Sequence, residues 1–189
     1  MENYKKNLDL LTKNHVYSKE MEHDACGVGL IASTEGKKSR AIVEYGVEAL
    51  KAVWHRGAVD ADGKTGDGAG IHVEIPKDFF IEKIQVTGHD YDNSEICVGM
   101  IFLPRNDYSA QESCKTIVES ELTKNNFSIY GWRQVPVNPK VLGEKALQTM
   151  PEIIQVLFKS NDPNLLDKNL ERKIYETRKR IENKAFDAS

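Results

Sequence analysis

Three cysteines, two tryptophans and six prolines are a sparse supply for 189 residues. Each scarcity excludes something. Cys26, Cys97 and Cys114 are odd in number and no pair has Cys-Xaa-Xaa-Cys spacing. A disulfide framework is therefore not expected, and a reduced, cytoplasmic setting is the default. Charge of one sign is also lacking: 26 Lys plus Arg against 29 Asp plus Glu leave a net −3. That balance supports neither a nucleic-acid nor a membrane-surface partner. No apolar run is long enough to cross a bilayer. The opening Met1-Glu-Asn-Tyr-Lys-Lys has lysines but no apolar region behind them, so it is not a secretory signal. What is present, 40% hydrophobic and 29% charged residues, is the composition of a soluble globular domain. There is no internal repeat and no low-complexity segment.

Residues 1–24 are polar and read as a weak helix or a loose leader. Ala25 to Ser33 is small and apolar, with Val28, Leu30 and Ile31, and is expected to be a buried strand whose glycines permit close backbone approach. Ser39 is the expected N-cap of a helix carrying Ile42, Val43, Val47, Leu50 and Val53, stopping near Arg56-Gly57. Ile71 to Ile75 alternates and predicts a half-buried strand closed by Pro76. Further strands are expected over 95–103, 127–132 and 153–158, and helices over 109–124, 142–149 and 165–185. The last has Leu166, Leu170, Ile174 and Ile181 as its apolar stripe. Strands and helices are mixed rather than strictly alternating, which favours an α+β layered domain over a doubly wound one.

Between them, Gly57 to Gly70 packs five glycines and three aspartates into one loop, a density that signals special backbone angles. Gly63-Lys64-Thr65 invites a phosphate-loop reading, which fails on spacing. The motif needs four residues between its glycines, and Gly57 and Gly63 leave five. Asp60, Asp62 and Asp67 suggest calcium, but the register is not that of an EF-hand and no Glu closes the coordination. Aspartates bonding their own loop backbone are the favoured reading. His23 and Cys26 form one loose pair with no second pair to complete a zinc site. Cys97, inside a strand pattern, and Cys114, inside a helix pattern, read as packing residues. Cys26 opens a run of small residues between a polar segment and a strand, so a substrate can approach it. From the residues alone, a nucleophile and a packing thiol both remain open there.

Several separated motifs resolve that choice by resemblance. Asp24-Ala-Cys-Gly-Val-Gly-Leu-Ile-Ala, Trp54-His-Arg-Gly-Ala, Lys64-Thr-Gly-Asp-Gly-Ala-Gly-Ile and Ile75-Pro-Lys-Asp-Phe-Phe come first. Val98-Gly-Met-Ile-Phe-Leu-Pro, Gly131-Trp-Arg-Gln-Val-Pro, Leu142-Gly, Glu171-Arg-Lys-Ile-Tyr and Arg178-Lys-Arg-Ile-Glu follow in order. Together they resemble the class II glutamine amidotransferase domain that begins the glutamate synthase large chain, over nearly everything from residue 22 to 184.

The resemblance implies an N-terminal-nucleophile αββα sandwich of the α+β class. It makes residues 1–25 a propeptide-like leader and 26–189 a partial amidotransferase domain. Cys26 becomes the mature N-terminal nucleophile for glutamine hydrolysis. Gly27, Arg56, Gly57, Asp67 and Gly68 are implied to shape the substrate pocket or support the nucleophile loop, with His55 structural. The implied partners are L-glutamine and the remaining glutamate synthase regions or a second chain, with no nucleic acid and no membrane. No cofactor is expected in this chain; flavin mononucleotide and an iron–sulfur cluster are expected only in the rest of a parent enzyme. The family's substrate arginine, its Asn-Gly oxyanion pair and its acidic residue for the substrate amine have no matching motif here. The chain is thus expected to be the first half of the domain, needing the rest for activity. The alternative is a non-catalytic module with a binding or regulatory role.

Overall fold

A strand persists only where a neighbour completes its hydrogen-bond ladder, and among the described residues three segments form such a sheet. The computed structural model describes residues 27–53 and 57–188, together with Lys6, Asp9, Leu10, Thr12 and Lys13. Two units are distinguishable: Met1–Ala58 with Asp67–Ile71, and Val59–Gly66 with His72–Ser189.

The first unit holds helix α1 (Arg40–Ala52). Ser39, in an extended conformation, caps it by accepting a hydrogen bond from the Ala41 N–H at 3.2 Å. The helix ends at Ala52, short of the expected Arg56-Gly57. Gly46 lets Ile71 lie close against it: a Cβ there would stand 3.0 Å from Ile71 Cδ1. The buried strand expected over Ala25–Ser33 is not found in its described part. Gly27–Ser33 is irregular, with Val28 94% and Leu30 89% exposed. The strand expected over Ile71–Ile75 is absent too, and Ile71, Val73 and Ile75 are exposed. The cause is shared. Both segments carry strand-forming patterns, but no described residue pairs with either, and an unpaired pattern has no ladder to hold it.

The second unit is built around a three-stranded antiparallel sheet of β1 (Cys97–Leu103), β2 (Phe127–Gln134) and β3 (Glu152–Ser160), with β3 in the middle. Cys97 stands opposite Phe158 and Phe127 opposite Ser160. Helices α3 (Tyr108–Lys124) and α5 (Asp167–Asp187) cover one face. Val118, Leu122 and Leu170 pack there on Cys97, Phe127, Val156 and Phe158. Helix α2 (Lys77–Val86), which the sequence analysis does not anticipate, puts Phe80 and Ile84 on Leu157, Tyr130 and Ile96 of the other face. Its signals are Pro76 just ahead of it, a residue that favours helix starts, and apolar residues four apart. Five consecutive β3 residues, 154–158, are buried because both faces are covered. Between α3 and α5, Glu121 is almost fully buried and paired with Lys124 and Lys184. The Lys184 ammonium holds its carboxyl below the usual range. A 3-10 turn (Pro139–Val141) and helix α4 (Glu144–Thr149) join β2 to β3. Among the described residues, no helix is long and apolar enough to cross a membrane.

Strand β2 carries a bulge between Ile129 and Gly131. Gly131 has φ 147°, and a Cβ there would sit 2.8 Å from Thr87 Cγ2. Strain and collision act together, so Gly131→Ala is expected to cost about 2–4 kcal/mol. A urea midpoint shift at unchanged slope is the measurement.

Candidate active site loop

The glycine- and aspartate-rich loop is a short hairpin tied by its own side chains. Val59 and Gly66 form an isolated antiparallel bridge, and the Asp60 N–H donates to the Thr65 carbonyl at 2.7 Å. Gly63 turns the tip at φ 68°, a region glycine enters without penalty. Asp62 Oδ1 accepts the N–H groups of Lys64 at 2.9 Å and Thr65 at 2.7 Å, and Oδ2 accepts the Thr65 hydroxyl at 2.6 Å. The expected bonding of aspartates to their own loop is therefore what occurs. It also disposes of a phosphate loop, because the amide donors an anion would need are already occupied by Asp62. These bonds, the Thr65 hydroxyl foremost, hold the Asp62 carboxyl well below the usual carboxylate range.

Asp67 closes the loop base: its carboxylate accepts the Ala58 N–H at 2.8 Å, and its own N–H donates to the Ala58 carbonyl at 3.2 Å. Gly27, Gly57, Asp67 and Gly68 are all exposed. At Gly68 a Cβ would meet nothing within 4 Å, so no contact among the described residues explains that glycine. Cys26, Arg56 and His55 lie outside the described residues. Of the predicted site residues, the structure thus relates one side chain, Asp67, to the backbone beside Gly57.

Sequence reasoning missed three residues that touch this hairpin. The Glu144 N–H donates to Asp62. Lys145 Nζ pairs with Asp60 Oδ2 at 2.6 Å. Gly143 lies so close that a Cβ would collide with Asp62 Oδ2 and Thr65 Oγ1 and sit 2.5 Å from the Thr65 nitrogen. The available signal was the Leu142-Gly motif, which the resemblance marks without giving it a task.

The other thiols fit packing roles. Cys97 is buried, and burial, helped by Glu95 and Glu171, pushes its pKa up to about 12. Cys114 is half-buried on α3. Among the described residues, no group of three or more His, Cys, Asp or Glu side chains is placed to hold a metal. A cleft of about 300 Å³ beside Asp92, Ser160 and Leu170 contains none of the predicted site residues.

Residues 26–189 match the family model of the class-II glutamine amidotransferases. The large chain of the NADPH glutamate synthase of Azospirillum brasilense is 52% identical over 179 residues, which is 95% of this chain and 12% of that relative. The matching stretch is that relative's N-terminal region. The ferredoxin-dependent glutamate synthase of Pyropia yezoensis is 40% identical over 174 residues, 92% of this chain and 11% of the relative. Ferredoxin-dependent glutamate synthase 1 of Arabidopsis thaliana is 40% identical over 162 residues, 85% and 10%. The chain thus spans about a tenth of the length of these curated relatives. By its family match over residues 26–189, the chain belongs to the class-II glutamine amidotransferases.

Proposed function

We propose that this chain is the glutamine-hydrolysing portion of a glutamate synthase, with Cys26 as nucleophile and residues 1–25 as a leader removed to expose it. The observation that carries this is the start of the family match, which falls on Cys26 itself. The chemistry requires that position. A free α-amine has a pKa of about 7.7–8.0, so near neutrality a good fraction is an unprotonated base. On Cys26 it sits on the same residue as the thiol and can take its proton, directly or through a water. While Ala25 is attached, that nitrogen is an amide and has no basic lone pair.

The sulfur attacks the side-chain amide carbon of glutamine and the carbonyl oxygen becomes an oxyanion. The amine then transfers its proton to the departing nitrogen, the C–N bond breaks, and ammonia leaves a glutamyl thioester. Water attacks the thioester, releasing glutamate and restoring the thiol. Each oxyanion donor is worth roughly 2.7–4 kcal/mol in such a transition state. Those donors, with the groups that hold the glutamine carboxylate and amine, are assigned to the remaining regions of the parent enzyme. So are the flavin, the iron–sulfur cluster and the amination of 2-oxoglutarate. Cytoplasmic residence belongs to the same proposal, supported by the free thiols Cys97 and Cys114.

The full αββα sandwich is likewise proposed. Its support is that Met100 and Phe102, 48% and 63% exposed on the α2 side of the sheet, leave apolar surface for a second layer. Glutamate and ammonia release, measured with the chain alone and with the remainder of a glutamate synthase supplied as a second chain, tests the function. Equal release of both products from a chain whose mass shows loss of residues 1–25 supports it. No release in either preparation overturns it.

A further inference from the structure

The geometry points to Asp62, Gly143 and Lys145 as positioning residues: a latch that fixes the Val59–Gly66 hairpin. This rests on the glutaminase function proposed above, since the loop's place in the site comes from that assignment. Gly143 itself adopts an ordinary extended backbone, φ −74° and ψ 166°, which any residue can take. Its lack of a side chain therefore serves space and not conformation. The space is filled by Asp62 and Thr65. Three contacts of different kinds converge there: the close approach at Gly143, the Glu144 N–H on Asp62, and the Lys145–Asp60 ion pair. Asp62 is the hub. One carboxylate shapes the hairpin from inside through Lys64 and Thr65 and grips a distant segment through Glu144. Asp67 and Gly68 follow Gly66 directly in the chain, so order in the hairpin is expected to carry along the backbone to them.

Three variants test this: Gly143→Ala, Asp62→Ala and Asp62→Asn. Asparagine keeps an acceptor for the Lys64 and Thr65 amides, and its NH2 can donate to the Thr65 hydroxyl. Amide hydrogen exchange reports loop order. Glutamine protection of Cys26 against iodoacetamide, located by peptide mass in the preparation that releases glutamate, reports function. Gly143→Ala and Asp62→Ala are expected to speed exchange at Lys64 and Thr65 about tenfold or more, with the β3 amides unchanged. The glutamine concentration giving half-protection is expected to rise about tenfold, while alkylation without glutamine changes less than about twofold. Asp62→Asn is expected to fall between the unaltered chain and Asp62→Ala on both measures, because its single amide oxygen must serve the Lys64, Thr65 and Glu144 N–H groups. Unchanged loop exchange in both disruptive variants overturns the latch. Faster exchange with unchanged half-protection overturns the positioning role. Absence of glutamine protection in the unaltered chain sinks the glutaminase function and the positioning role with it, while the exchange data still decide whether the latch exists.

Discussion

Cys26→Ala is expected to lower glutamate release by about 10⁴-fold or more, to the level of buffer. The substitution removes the only atom proposed to bond to the substrate carbon, so no partial mechanism survives on this residue. Neither remaining cysteine can stand in. With a pKa of about 12, Cys97 is thiolate in only about one molecule in 10⁴ to 10⁵ near pH 7.5, and it is sealed in the core against Val118 and Phe158. Cys114 sits within α3, with no basic amine on its own residue. The fold offers no competing explanation for the loss. The residues that follow Cys26 are exposed, Val28 at 94%, and neither core cluster draws on them. The melting temperature of the variant is therefore expected to move by less than about 2 °C, in line with surface substitutions. Glutamate release surviving the change would refute Cys26 as nucleophile.

The parts of this molecule that sequence shows are those decided locally. Helices α1, α3 and α5 follow from apolar spacing and, at α1, from the Ser39 cap. The three strands follow from short apolar runs, the first closed by Pro104. What sequence misjudges depends on distant partners. Val28, Leu30, Val73 and Ile75 have a strand pattern as good as that of β1, yet no described ladder receives them. Helix α2 escapes notice because only Phe80 and Ile84 of its ten residues are buried, too few for a clear stripe. The site divides the same way. The aspartates of the loop announce their short-range bonds in the spacing Asp-Xaa-Lys-Thr. Nothing near Gly143 announces that Thr65 lies against it. The small residues after Cys26 set it apart from the other thiols, but only the resemblance makes it a nucleophile, because composition and spacing give it no visible base.

The same contrast fixes where stability is concentrated, and Leu157→Ala should expose it. Leu157 is fully buried at the centre of the middle strand, opposite Val98 on β1 and Gly131 on β2. Phe80 and Ile84 of α2 close over it with Tyr130 and Ile96. Removing its isobutyl group forfeits the transfer free energy and leaves a cavity that two covered sheet faces cannot collapse to fill. The expected loss is about 3–5 kcal/mol, a large part of the roughly 5–15 kcal/mol available to a domain. For a chain of this size that lowers the melting temperature by about 6–20 °C. Met100→Ala on the same face is the internal control: the side chain is 48% exposed, so its loss should cost about 1 kcal/mol or less. A Leu157→Ala penalty no larger than that of Met100→Ala would show that α2 does not close the second core. The consequence reaches the loop. Helix α4, which brings Glu144 and Lys145 to Asp62 and Asp60, ends at Thr149, and β3 begins at Glu152. The strand that Leu157 anchors is therefore the support on which the latch segment is hung. In Leu157→Ala, exchange at Lys64 and Thr65 should quicken together with the β3 amides. In Gly143→Ala it should quicken alone.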